Sequence, residues 1–290
     1  GIRDRSPSRG LGDVYKRQLE EFPIKDMGFG SADSIHVLAE VMKRAYADRS
    51  KHLGDMDFYK VPFSLMSKEY ASFLNKGISI NSRTASKDVY AGDPYPYESP
   101  DTTHFSVIDS QGNAVSNTYT LGSSFGSGVT IEKGGFLMNN QMRNFSHFYG
   151  KSDSLSLGTS EANKLEPGKR MISTQTPTLV FNPQGELFMV LGSPGGGRIP
   201  NINAQVVSNV IDHKMSFASA VMAPRINQRL EGNLELENGF SPDTVSLLKK
   251  KGHNVKSSLT MGSVQAIFIK DKVIYGVADT RRPGALAKGN

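Results

Sequence analysis

The chain has 290 residues, 37% hydrophobic and 21% charged, and no cysteine. That composition describes a globular chain of one large domain or two ordinary ones, and it argues against disorder, collagen and disulfide scaffolds. Without cysteine there is no disulfide, no thiolate metal site and no cysteine nucleophile, so covalent chemistry falls to Ser, Thr, Lys or a carboxylate. The net charge of +6 does not indicate a nucleic-acid partner: residues 1–18 hold five Lys/Arg against two Asp, half of the excess, and the remainder has no basic stripe interleaved with aromatics. No apolar run approaches the roughly eighteen residues of a membrane span, and the basic start has no apolar stretch behind it, so no signal peptide is read in these residues.

The opening GIRDRSPSRGLGDVYKRQ has no apolar periodicity and is expected to be a disordered arm, foreign in texture to the remainder of the chain. The folded chain is expected to enter at about Leu19. Over 31–49, Ile35, Leu38, Val41 or Met42 and Ala45 recur on one face, with Ser31 or Asp33 as cap, which predicts an amphipathic helix. A second helix is expected over 67–76. Residues 82–101, SRTASKDVYAGDPYPYESPD, read as a loop or linker.

At Thr102 the texture changes to short apolar or alternating runs separated by Gly, Asn and Asp: THFSVID, NAVSNTYTLG, GGFLMNN, TPTLVFN, LFMVLGS, QAIFIK and VIYGVAD. These predict about seven strands. Helices are expected at 201–213 and 241–252, the latter capped by Ser241 and stopped by Gly252. A strand-rich body flanked by a few helices is an α+β layered fold, and no repeat of a solenoid or propeller is present.

Three segments could carry chemistry. The first is Thr102, at the junction of a proline-containing loop and a strand, where chains are readily cut. A break between Asp101 and Thr102 would give one residue both a hydroxyl and an α-amino group, whose reference pKa of about 7.7–8.0 suits a base near neutral pH. On spacing alone, a pair of β-formers opening a strand is the first reading. The second is GSPGGGRIP at 192–200, where Gly195, Gly196 and Gly197 let backbone N–H groups converge on an oxyanion, or simply make a tight strand-to-helix turn. It lacks the lysine and hydroxyl of a phosphate-binding loop. The third is MNNQMRNF at 138–145, with Asn139, Asn140, Gln141 and Asn144 either capping a turn or holding a polar ligand.

The histidines, at 36, 52, 104, 147, 213 and 253, show no metal-ligand spacing, so no metal is expected. Ser193 lacks the second glycine of a nucleophile elbow, which disfavours a triad hydrolase. Lys249, Lys250 and Lys251 close a helix, where cations suit the dipole.

Taken together, TTHFSVID, NTYTLGSSFG, NNQM, PGKRMIST and GSPGGGRI in this order, with AYADRSKHLGD at 45–55, VPFSL at 61–65, GFSPDT at 239–244 and MGSVQAI at 261–267, resemble the γ-glutamyltransferase (glutathione hydrolase) family of N-terminal-nucleophile hydrolases. The resemblance covers nearly all of 31–290. It implies a four-layer αββα sandwich and a precursor that cuts itself between Asp101 and Thr102. Residues 102–290 would then be the small catalytic subunit and 19–101 the tail of the large one, with the rest of the large subunit upstream. The family arginine that grips the substrate α-carboxylate is expected upstream of Leu19.

The same resemblance makes Thr102 the nucleophile and Thr120 the threonine whose hydroxyl assists it. Gly195 and Gly196 would supply the oxyanion amides, and Ser173 and Thr174 would hold the α-carboxylate. Asn140 and Gln141 fall in the amide cluster, Gln141 helping to hold the α-amino group. Asn144 stands where the transferases commonly carry an aspartate for the α-ammonium, Gly122 where many bacterial members have asparagine, and Tyr149 does not match the usual lid tyrosine. Exchanging a charge-assisted contact for a neutral one weakens selection for an α-amino group by about 1–3 kcal/mol. The expected activity is transfer of a γ-glutamyl group to water, an amino acid or a peptide, without cofactor, in the periplasm or secreted. The alternatives are a glutaryl or cephalosporin-type acylase of the same fold, or an unprocessed, non-catalytic fragment.

Overall fold

The computed structural model describes residues 11–89, 102–146, 160–230 and 232–289. In chain order the helices are α1 (Leu11–Leu19), α2 (Ile24–Met27), α3 (Ala32–His52), α4 (Lys68–Asn75), α5 (Ile199–Ile211), α6 (Phe217–Met222) and α7 (Pro242–Lys250). The strands are β1 (Thr103–Ile108), β2 (Ala114–Tyr119), β3 (Thr130–Ile131), β4 (Phe136–Leu137), β5 (Thr178–Phe181), β6 (Leu187–Gly192), β7 (Ile226–Asn227), β8 (Leu234–Glu237), β9 (Val255–Ser258), β10 (Gln265–Lys270) and β11 (Val273–Ala278). The fold is α+β, as expected. Its contacts divide it into two compact units, one of Gly1–Tyr97, Gln141–Ser173 and Pro224–Leu259, the other of Glu98–Asn140, Thr174–Ala223 and Thr260–Asn290.

The first unit is organised around α3, which starts where Ser31 Oγ accepts from the Ser34 N–H at 3.0 Å. The expected single apolar face understates it: 17 of its 21 residues are buried, so its polar residues need partners inside the protein. Glu40 supplies them. It accepts from Lys43 Nζ at 2.8 Å, Arg44 Nη1 at 2.7 Å and the Thr84 N–H at 3.1 Å. Burial pushes its carboxyl up, but Lys43, Thr84 and Arg44 outweigh burial and hold it at about 2. Lys43 and Arg44 also donate to Thr84 O at 2.7 Å and Gly77 O at 2.6 Å, fixing residues 77–84. The start of the predicted 82–101 loop is therefore anchored, whereas 90–101, including Asp101, lie outside the described residues.

Residues 11–18 differ from the disordered arm expected over 1–18. They belong to α1, which packs against α3 and α4 with Val14, Tyr15 and Leu19 buried. Asn75 Nδ2 donates to Gln18 O at 2.9 Å. The apolar residues that seat this helix are too few and too close to the chain start to stand out against its arginines; residues 1–10 lie outside the described set. Helices α4 and α7 match their predicted positions, each capped by a serine, Ser67 or Ser241, that accepts from the third residue on at 3.1 Å. The small sheet β7-β8-β9, with α7 connecting the parallel pair β8 and β9, was not anticipated, because strands of two to four residues leave almost no periodicity.

The second unit is built on the antiparallel sheet β11-β10-β6-β5. Met189 and Leu191 of β6 and Ala266 and Phe268 of β10 pair across the ladder and face α5 and α6, packing with Ile202, Val206, Val210, Ala220 and Val221 in the main apolar core. The hairpin β1–β2 packs on this sheet, Ser106 Oγ donating to Gln265 O and Ser116 Oγ to Leu191 O. Helices, sheet and hairpin thus form successive layers in this unit. Of the predicted GGFLMNN strand only Phe136–Leu137 forms, paired with Thr130–Ile131.

Candidate active site

The hairpin β1–β2 determines where the expected nucleophile stands. Its register pairs Thr103 with Tyr119, His104 with Thr118 and Ser106 with Ser116. Continued by one residue, it sets Thr102 opposite Thr120. Residues two apart share a face of a strand, so Thr102, His104 and Ser106 line one side, opposite Thr120, Thr118 and Ser116. This polar face is turned inward: Ser106 Oγ donates to Gln265 O at 3.0 Å and Ser116 Oγ to Leu191 O at 2.9 Å. The other face, with Phe105, Val107, Val115 and Tyr119, is exposed.

Thr102 itself is buried, at 7% exposure, and its carbonyl accepts from Arg282 Nη1 at 2.9 Å. Arg282 is placed by its neighbour Arg281, which donates to Val221 O at 3.2 Å and Ala223 O at 2.9 Å at the end of α6. Fully buried Asp279 accepts from the Arg281 N–H and the Val264 N–H, each at 3.0 Å.

His104 lies on β1 and bridges to β2. Its Nδ1 is 2.7 Å from Thr118 Oγ1 and its Nε2 3.1 Å from Ser106 Oγ. Because Ser106 donates to Gln265 O, its oxygen accepts from Nε2–H, and Nδ1 accepts from the Thr118 hydroxyl. The ring rests on β6 so closely that a Cβ at position 192 would stand 2.3 Å from Cε1; Gly192 is required by that approach. Burial pushes the imidazole down to about 4, so it is neutral at neutral pH. A neutral, doubly engaged ring ties β1 and β2 to the end of β6.

From there the chain turns through the predicted glycines. Ser193 is fully buried, donates to Pro194 O at 2.6 Å and accepts from the Ser263 N–H at 3.0 Å, so its hydroxyl serves the loop. Gly195 (φ +140) and Gly196 (φ +56) adopt backbone that other residues rarely tolerate, and the turn Gly196–Arg198 runs directly into α5. Backbone N–H groups at the start of a 13-residue helix, backed by its dipole, are suited to a developing negative charge. Thr174 is buried nearby in sequence to β5; its carbonyl accepts from Thr176 Oγ1 at 2.9 Å, and Asn203 of α5 donates to Thr176 O at 2.6 Å.

Thr120 Oγ1 accepts from the Gly122 N–H at 2.9 Å, closing the turn after β2. Asn140 is committed to the same turn, accepting from the Ser123 N–H at 3.0 Å and donating to Ser123 Oγ at 2.9 Å. Its Oδ1 would lie 2.0 Å from a Cβ at position 122. Asn140 therefore fills the space that a side chain at Gly122 would need.

The remaining expected residues, Gln141, Asn144 and Ser173, belong to the other unit; the division runs between Asn140 and Gln141 and between Ser173 and Thr174. Asn144, 8% exposed, donates to Gln141 Oε1 at 2.7 Å, its amide taking the neighbouring amide as partner. Leading to Ser173, Arg170 grips Asp55: the Arg170 N–H and Nε each donate to Asp55 Oδ2 at 2.9 Å, Nη2 binds Asp55 Oδ1, and Nη2 also reaches Asp57 at 2.7 Å. The Arg170 hydrogen bond holds the Asp55 carboxyl at about 2. Tyr149 and the rest of 147–159 lie outside the described residues.

Residues 15–289 match the family model described as Gamma-glutamyltranspeptidase. The chain belongs to the gamma-glutamyltranspeptidase family. It is 44% identical over 274 residues to the glutathione hydrolase proenzyme of Escherichia coli K12, covering 93% of this chain and 47% of that protein. A variant of Helicobacter pylori gamma-glutamyltranspeptidase superposes with a TM-score of 0.58 at 42% identity, covering 62% of this chain and all of that one. Cephalosporin acylase from Bacillus halodurans superposes with a TM-score of 0.78 at 25% identity, covering 97% of this chain and half of that one. The fold is thus that of the N-terminal-nucleophile hydrolases, and the chain spans about half the length of the curated relatives it matches.

Sequence reasoning singled out neither His104, Arg282, Asp55 nor Arg170 as supports of the site. A strand histidine between two small hydroxyl residues, THFS, was a signal for His104. The Asp55–Arg170 pair is separated by 115 positions, and local patterns do not report such contacts.

Proposed function

We propose that this chain carries the catalytic threonine of a self-processing γ-glutamyl acyl-transfer enzyme. The observation that carries this reading is the hairpin register, which sets buried Thr102 opposite Thr120 at one end of a polar strand face, in a chain of this family. Cleavage between Asp101 and Thr102 frees the threonine α-amine, which takes the hydroxyl proton as Oγ attacks the γ-glutamyl carbonyl. The amides of Gly195 and Gly196 stabilise the oxyanion, a contribution of about 3–4 kcal/mol per donor in comparable sites. Collapse expels the amine and leaves an acyl ester on Thr102, which water or the amine of an amino acid or peptide then releases. Ser173 and Thr174 receive the α-carboxylate, and Gln141, with Asn144 behind it, the α-amino group. Residues 19–101 act as large-subunit tail, and the protein works in the periplasm or outside the cell.

A second reading, an acylase for glutaryl-type amides, is favoured by Asn144, which offers an amide and no charge to an α-ammonium. The test compares hydrolysis of γ-glutamyl anilide and glutaryl anilide by the protein expressed from its natural gene. Faster γ-glutamyl turnover supports the first reading; faster glutaryl turnover replaces it with the second.

A further inference from the structure

Asn163 connects the two stretches that bear the substrate-binding residues of the first unit. It closes a single 3-10 turn, Glu161–Asn163, and is 1% exposed. Its Nδ2 donates to Asn144 O at 2.6 Å, and its Oδ1 accepts from the Ile172 N–H at 2.9 Å. Reversing the amide would set donor against donor and acceptor against acceptor, so the partners fix its orientation. Its own carbonyl accepts from the Ser146 N–H at 2.9 Å. The back of the turn has no room to retreat, because a Cβ at Gly54 would lie 2.2 Å from Ala162 O, and the next residue, Asp55, holds Arg170.

We infer that Asn163 is a positioning residue that fixes the spacing between the Gln141–Asn144 stretch and Ser173, and through it the fit of the acyl donor. Among the described residues neither stretch belongs to an α-helix or a sheet ladder, and the backbone tie is the isolated bridge Ser146–Lys164 with its Ser146 N–H to Asn163 O bond. The Asn163 side chain adds a bond to each stretch, using both ends of a planar amide. The inference rests on the acyl-transfer reading proposed above. It assigns Asn163 to binding of the acyl part and leaves nucleophile and oxyanion amides untouched, since those stand on the other unit's hairpin and α5.

The test measures kcat and KM for γ-glutamyl and glutaryl anilides with the natural-gene protein, Asn163→Ala and Asn163→Asp, together with amide hydrogen exchange. For Asn163→Ala, KM for the preferred donor rises about tenfold or more while kcat stays within about threefold, the pattern of lost binding common to ground and transition states. Exchange quickens at Ser146 and Ile172. Asn163→Asp keeps an acceptor for Ile172 N–H and loses the donor to Asn144; it keeps Ile172 protected yet still raises KM. The inference is overturned if exchange quickens with KM unchanged, or if kcat alone falls. If the parent turns over neither donor, the acyl-transfer reading fails and takes the inference with it; an active parent whose variants keep its KM removes the inference alone.

Discussion

The hairpin that carries Thr102 and the described residues of the 141–173 arm, each in its own unit, are held in place by different means. Thr102 and Thr120 end a regular hairpin whose register dictates their opposition, and the hairpin is held to β6 by Ser116 and to β10 by Ser106, with the His104 ring resting on Gly192. The arm that carries Gln141, Asn144 and Ser173 has two 3-10 turns and the isolated bridge Ser146–Lys164 among its described residues. Beyond that bridge it is tied at long range by single side chains, Asn163 and the Asp55–Arg170 pair, whose partners are distant in sequence. Ladder hydrogen bonds share a load among many residues, whereas the arm concentrates it on a few. Point changes in the arm's supports should therefore cost more than changes of similar size beneath the hairpin.

Two substitutions by one methyl group sharpen the contrast. Gly54→Ala drives a Cβ into the backbone carbonyl of Ala162, so main chain must move against main chain; the expected loss is about 3 kcal/mol of unfolding free energy. Gly192→Ala meets the His104 ring, a side chain that can rotate away at the expense of its two hydrogen bonds. There the expected loss is about 1–2 kcal/mol, with a lower kcat because the strand ends bearing Thr102 and Gly195 shift together. Denaturant titration of both variants checks the ranking. A larger loss for Gly192→Ala would reverse the comparison.

A smaller effect comes from pH. Burial holds His104 and His253 at about 4 and also lowers His36, against an ordinary value of 6.5. His36 and His253 form a buried pair in the first unit, with Nδ1 of one 2.7 Å from Nε2 of the other. The folded protein refuses protons that the unfolded chain accepts, so the stability tied to neutral histidine is fully present above about pH 6.5 and is lost as pH falls towards about 4. Unfolding midpoints measured across that window should fall for the parent. They should fall less steeply for His104→Gln; in the remaining slope the His36–His253 pair is joined by His52 and His213, also lowered by burial, and opposed by Asp48, which burial raises to about 6.

Much of this was legible in the sequence where structure is local. The caps Ser31 and Ser241, the strands from Thr102 onward and the glycine turn before α5 can all be read from residue order. The burial of α3 on nearly every side was not legible, because Glu40, Lys43, Arg44 and Arg49 read as a solvated face until their partners are known. Nor does alternation in THFSVI and AVSNTY tell which face of the hairpin is covered: Phe105, Val107, Val115 and Tyr119 are exposed and the hydroxyls face the sheet. Among the proposed site residues, Thr102, Thr120, Gly195 and Gly196 are assigned through the family resemblance of their motifs. What positions Gln141, Asn144 and Ser173 lies in Asn163, Asp55 and Arg170, which no local pattern connects.

The central claim is that Thr102 is a nucleophile released by self-cleavage. It is tested most directly by the intact mass of the natural-gene protein and its Thr102→Ala variant after incubation at neutral pH. The account predicts two fragments in the parent that meet between Asp101 and Thr102, and one uncut chain in the variant. A parent that stays whole, or a variant cut at the same bond, would contradict it.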